Sequence, residues 1–122
     1  MNNFIKIRED FNMNNTIVKD EILFTHEFDN GRGAKLTLKR VGSNKKYFYY
    51  FVDQWGITKV EHASRDLNKL IKQIEREKNV HIKHYNELKK INFEGYPEST
   101  IERFKRLFQW YDNIINDMKK LL

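Results

Sequence analysis

From Glu21 to Phe28 the chain alternates. Ile22, Phe24, His26 and Phe28 fall on one parity and Leu23, Thr25 and Glu27 on the other. A period of two predicts a strand, and the following DNGRG is turn chemistry that predicts a hairpin. The next run, AKLTLKR, alternates Ala34, Leu36 and Leu38 with Lys35, Thr37 and Lys39 before GSNK turns the chain again. YFYYFVD is aromatic and β-branched throughout, and QWG leads into a short strand, ITKVE. These runs predict a three- or four-stranded antiparallel meander.

Parity assigns faces, because a slip of one residue moves every side chain to the other side of a sheet. An odd-length loop after Val41 puts Leu36 and Leu38 with Phe48, Tyr50 and Val52 on a core face. It leaves Lys35, Thr37 and Lys39 beside Tyr47, Tyr49 and Phe51 on the opposite face. An odd-length loop around Gly31 adds Phe24 and Phe28 to the core side.

Helical spacing takes over after His62. Ser64 reads as an N-cap, and Leu67, Leu70, Ile71 and Ile74 recur at i, i+3, i+4 and i+7. The pattern continues through Tyr85, Leu88 and Ile91. Asn79 followed by Val80 leaves open whether residues 64–92 form one helix or two. Gly95 and Pro97 mark a boundary, and Ser99 with Glu102 reads as a capping box for a helix over 99–122. There Ile101, Phe104, Phe108, Tyr111, Ile115, Met118 and Leu122 keep a 3,4 spacing, widened by Leu107, Ile114 and Leu121. Such a stripe packs on its own sheet and preceding helix, or on a second copy. For a homodimer the interface residues are Phe104, Phe108, Trp110, Tyr111 and Ile115.

The expected fold class is α+β, with the meander followed by two or three α-helices packed on the sheet and on each other. Its parts are an arm or short helix over 1–17 and a single domain over 18–122, the meander occupying 18–62. Phe4, Ile7 and Phe11 could form a short amphipathic turn set, while five Asn residues between Asn2 and Asn15 argue equally for a loose arm. Either Met1 or Met13 could be the native start. A chain of 122 residues suits one core and is too short for two ordinary domains.

Charge sharpens the picture. The net charge is +6, from 23 basic and 17 acidic residues. Arg32, Lys35, Lys39, Arg40, Lys45 and Lys46 lie between Asn30 and Val52, where there is no acid, so the whole excess sits in the hairpin. A concentrated basic patch attracts polyanions, and interleaved Tyr47 and Tyr49 add flat contacts. The plainer alternative is an edge hairpin kept from aggregating by its lysines.

Catalytic chemistry is poorly represented. With no cysteine, disulfides and cysteine-based zinc sites are excluded, which suits a reducing cytoplasm. His81 and His84 share a helical face with Glu87 a turn along, yet a closed metal site usually takes four ligands, and no metal or cofactor is expected. Asp53 with Lys59 and Glu61 lacks the order of a nuclease site on a second strand. Phosphate-loop, nucleophile-elbow and HExxH patterns are missing. Charged residues interrupt the first thirty positions and no run of about 18 apolar residues occurs, so the expectation is a cytoplasmic protein without a membrane partner.

A non-enzymatic binding protein is therefore expected, with nucleic acid or a nucleic-acid-binding effector protein as partner. A meander followed by a helix over about Glu21 to Glu75 resembles, in element order, the small three-stranded arm-binding domains of tyrosine recombinases. That resemblance implies a sheet laid in the DNA major groove. The aromatic strand invites comparison with RNA-recognition domains, but KKYFYYFV lacks their glycine and the βαββαβ order is absent. Short, Asn- and Lys-rich, motif-free composition is also typical of accessory proteins of phages and mobile elements. Inhibitors of restriction and CRISPR nucleases, acting by protein–protein binding, are among them. The third class is a structural homodimer or antitoxin-like module using the last helix.

Overall fold

Four strands pair in sequence order as one antiparallel sheet in a computed structural model that describes residues 20–29, 34–42 and 45–122. They are β1 (Glu21–Phe28), β2 (Ala34–Val41), β3 (Lys46–Val52) and β4 (Thr58–Ser64). Two helices follow, α1 (Leu67–Lys90) and α2 (Glu98–Lys119), so the architecture is α+β as expected. The arm over 1–17 and Arg32 lie outside the described residues.

Register is where the structure corrects the parity argument. Phe28 pairs with Ala34 across a five-residue connection, so Phe24 and Phe28 do share a face with Leu36 and Leu38. Between β2 and β3, however, Val41 pairs with Lys46, which leaves four residues in the turn. That even number reverses β3: Leu36 faces Phe51 and Leu38 faces Tyr49. The turn closes with positive φ at Gly42 (50°) and at Lys45 (51°). Tyr47, Tyr49 and Phe51 therefore point inward, while Phe48, Tyr50 and Val52 take the outer face.

One bulge makes a second correction. Register shifts between Ile22 and Phe24, so Ile22 pairs with Lys39 on the outer side and is 64% exposed. Leu23, the extra residue, packs against the core instead.

Both helices cover the inner face. Leu67, Leu70, Ile71 and Ile74 of α1 join Trp110, Tyr111, Ile114, Ile115 and Met118 of α2 over Leu36, Leu38, Tyr49 and Phe51. Burying each such aliphatic or aromatic side chain contributes roughly 1.5–3 kcal/mol. Polar ties fix the layers: His26 Nε2 lies 2.7 Å from Asp117 Oδ2, joining β1 to α2, and Lys78 pairs with Asp112 between the helices. Tyr85, Phe93, Phe104 and Phe108 form a second aromatic cluster, drawn from the helices and their connection alone.

Helix ends differ from the expected caps. α1 is one continuous helix of 24 residues, with Asn79 and Val80 in its interior. Its N-cap is Asp66, whose carboxylate accepts from the Asn68 N–H; Ser64 ends β4, and its hydroxyl accepts from the Asp66 N–H at 3.0 Å. In α2 the cap position belongs to Pro97, so Ser99 is already helical and makes no capping box. Glu98 in the first turn meets the positive end of the helix dipole instead.

Candidate binding face of the sheet

Because both helices pack on one side, the other side of the sheet displays the outward parity of its central strands. Phe48 and Tyr50 lie two residues apart on β3, with ring centroids 5.7 Å apart. The Lys39 ammonium stands over both rings, 5.7 Å from the Phe48 centroid and 5.9 Å from that of Tyr50. Lys39 pairs with Phe48 across the ladder, so the sheet register itself sets this contact. Cation–π attraction at such partly exposed sites is about 0.5–1 kcal/mol, below the rotamer entropy of a lysine, so it biases the side chain toward the rings without fixing it over them. Beside them the Thr25 and Thr37 hydroxyls approach to 3.3 Å, and Thr37 is buried between its neighbours.

The expected basic residues distribute unevenly about this cluster. Lys35 and Lys46 are exposed and share its parity, at opposite ends of the hairpin. Lys45 is exposed in the turn. Arg40 has inward parity but sits at the strand end, where its guanidinium reaches Glu21. That hydrogen bond and the carboxylate charge raise the Arg40 pKa further. Lys39 has Asp20 at 3.7 Å. A run without acids in sequence is thus partly neutralised in space, because β1 brings its own carboxylates alongside β2. Lys35, Lys45 and Lys46 form no ion pair among the described residues.

Tyr47 and Tyr49 do not belong to the face. Tyr49 is fully buried, its hydroxyl donating to Glu77 Oε2 at 2.8 Å, and burial pushes its pKa well up. Tyr47 packs against the edge of the core. Phe48 and Tyr50 take their place, and the sequence signal for them was present in the same aromatic run, one residue out of phase.

The other candidates have structural work. Trp110 lies in the core against Phe28, Phe51 and Tyr111, its indole N–H buried without an acceptor among the described residues. Tyr111 and Ile115 are buried with it, and Phe104 and Phe108 stack against Tyr85 of α1. Of the two arrangements open to this stripe, the structure shows the packing on its own sheet and preceding helix, which takes up most of it. His81 and His84 lie against Tyr111 and Phe104, and no three metal-ligating side chains group together among the described residues. Asp53 accepts from the backbone N–H groups of Trp55 and Ile57, both at 2.9 Å, and with Lys59 at 3.6 Å it builds the β3–β4 turn. The Ile57 and Trp55 hydrogen bonds hold its carboxyl below the usual carboxylate range.

Among the described residues no helix is long and apolar enough to cross a membrane. Comparison with protein-family models, curated proteins and solved structures gives no match.

Proposed function

We propose that the protein is a non-enzymatic binding module that takes unpaired nucleic acid on the outer face of β2 and β3. The observation that carries this is the Lys39 ammonium over Phe48 and Tyr50, on the side of the sheet opposite both helices. Adjacent rings on a central strand offer stacking surfaces to consecutive bases, and every base has a π-face to stack. Lys35, Lys45 and Lys46 supply charges along the hairpin for a phosphate backbone. A duplex hides its base faces, so single strands fit the rings better.

The direct test is titration of a fluorescent oligothymidylate, an oligouridylate and a duplex at several salt concentrations. Three to four phosphate contacts give a slope of log affinity against log salt of about −2 to −3 for single strands. Tighter binding to duplex than to either single strand would contradict the stacking role.

A second reading follows from the acidic border. Asp20 and Glu21 pair with Lys39 and Arg40, and Glu27 lies opposite Lys35. A surface of mixed charge also suits a protein groove, as in an inhibitor that occupies the channel of a nucleic-acid-handling effector. Co-purification of one stoichiometric protein, together with salt-insensitive and weak oligonucleotide binding, would favour that reading.

A further inference from the structure

On the helix-covered side, away from Phe48 and Tyr50, a cavity of about 620 Å³ opens where one end of the sheet meets the middle of both helices. Its volume lies within the range of small-molecule sites, roughly 300–1,000 Å³. Phe51, Val60, Leu107 and Trp110 give it apolar and aromatic walls, and Val80, 66% exposed, stands on the α1 side.

Charge pairing around the cavity is unequal. Lys59 lies 3.6 Å from Asp53, and Arg103 lies 2.9 Å from Asp29, so both lining cations already have carboxylates. Glu77, also in the lining, has no Lys or Arg within ion-pair distance among the described residues. Its Oε2 receives the Tyr49 hydroxyl at 2.8 Å and has His62 Nε2 at 3.7 Å. A carboxylate with 18% side-chain exposure and no fixed cation is costly to hold ionised, and a cationic guest would offset that cost. An anionic guest would meet Glu77 unfavourably, and a neutral one would leave its charge with only the Tyr49 hydroxyl, Gln73 and His62 as partners.

We infer that this cavity binds an apolar organic monocation of arylalkylamine size, its ammonium paired with Glu77 and its ring lodged between Phe51, Leu107 and Trp110. Rings beside a desolvated ammonium add cation–π attraction to the ion pair. The site uses different residues and the other side of the sheet from the nucleic-acid face, so either can fail without the other.

Three indoles with cationic, neutral and anionic head groups on short side chains test it on the full chain: tryptamine, tryptophol and indole-3-acetate, followed by calorimetry. Tryptamine is expected to saturate at submillimolar concentration, tryptophol to bind at least tenfold more weakly, and indole-3-acetate not at all. In Glu77→Gln, tryptamine should fall to the level of tryptophol. If that variant does not fold, Val80→Trp, a change at an exposed wall position, should weaken tryptamine at least tenfold with unchanged melting. Equal affinities for amine and alcohol, no saturable tryptamine binding up to millimolar concentration, or unchanged tryptamine affinity in the folded variant would overturn the inference.

Discussion

Tyr49 in the central strand β3 and Glu77 in α1 are joined by a 2.8 Å hydrogen bond from hydroxyl to carboxylate, across the layer that separates sheet from helix. The bond can form only in the register that turns Tyr49 inward. Tyr49→Phe keeps the ring and removes the donor, leaving a half-buried carboxylate short of a partner. Hydrogen bonds to charged groups contribute about 1.5–3 kcal/mol, and a loss of that order is expected in urea denaturation. Tyr47→Phe, at the edge of the same face, should stay within about 0.5 kcal/mol of wild type. Equal losses at the two positions would place the register in error.

Glu77 also sets a pH dependence. Burial raises its pKa above 4.5, although hydrogen bonds from Tyr49 and Gln73 and the nearby His62 oppose the shift. A carboxyl whose folded pKa is raised binds its proton more tightly in the folded state. Its stabilising share is therefore complete below 4.5 and is lost as pH rises through the folded value. Glu77→Gln keeps an acceptor for Tyr49 but cannot ionise. In melts from pH 4 to pH 8, wild type should lose stability relative to Glu77→Gln as pH rises. The opposite trend would mean that the native state stabilises the ionised form.

The helix caps give a third expectation. Asp66→Ala removes the carboxylate that accepts the Asn68 N–H and should cost about 1 kcal/mol, whereas Ser99→Ala, inside the first turn of α2, should be nearly silent in thermal melts. A larger loss at Ser99 than at Asp66 would restore the capping box that the spacing predicts.

The strands and helices were legible because their apolar spacing agrees with local turn chemistry. Leu36 and Leu38 alternate with charged or hydroxyl neighbours, so β2 admits only one inward face. β3 has no such contrast: Tyr47, Tyr49 and Phe51 are as apolar as Phe48, Tyr50 and Val52, and either set could fill a core. Only the four-residue turn and the Glu77 carboxylate, contributed from α1, decide between them. The site suffered the same ambiguity. Lys35 and Lys39 fall on the expected face, but the aromatic partners are one residue away from those the pattern indicates. Charge pairing was hidden for a related reason, since Asp20 and Glu21 precede the basic run in sequence and reach it only through the β1–β2 ladder.

Binding by the outer face is tested most directly by fluorescence anisotropy of a labelled ten-nucleotide oligothymidylate with three proteins: wild type, Phe48→Ser/Tyr50→Ser, and Tyr49→Phe. Stacking of a base on an aromatic ring contributes about 1–3 kcal/mol, so removing both outward rings should weaken binding by at least tenfold while circular dichroism shows the fold retained. Tyr49→Phe, which changes only the inward side of the same strand, should bind like wild type once folded. An affinity in the folded double variant equal to that of wild type, or the absence of binding by wild type itself, would contradict the proposed role of this face.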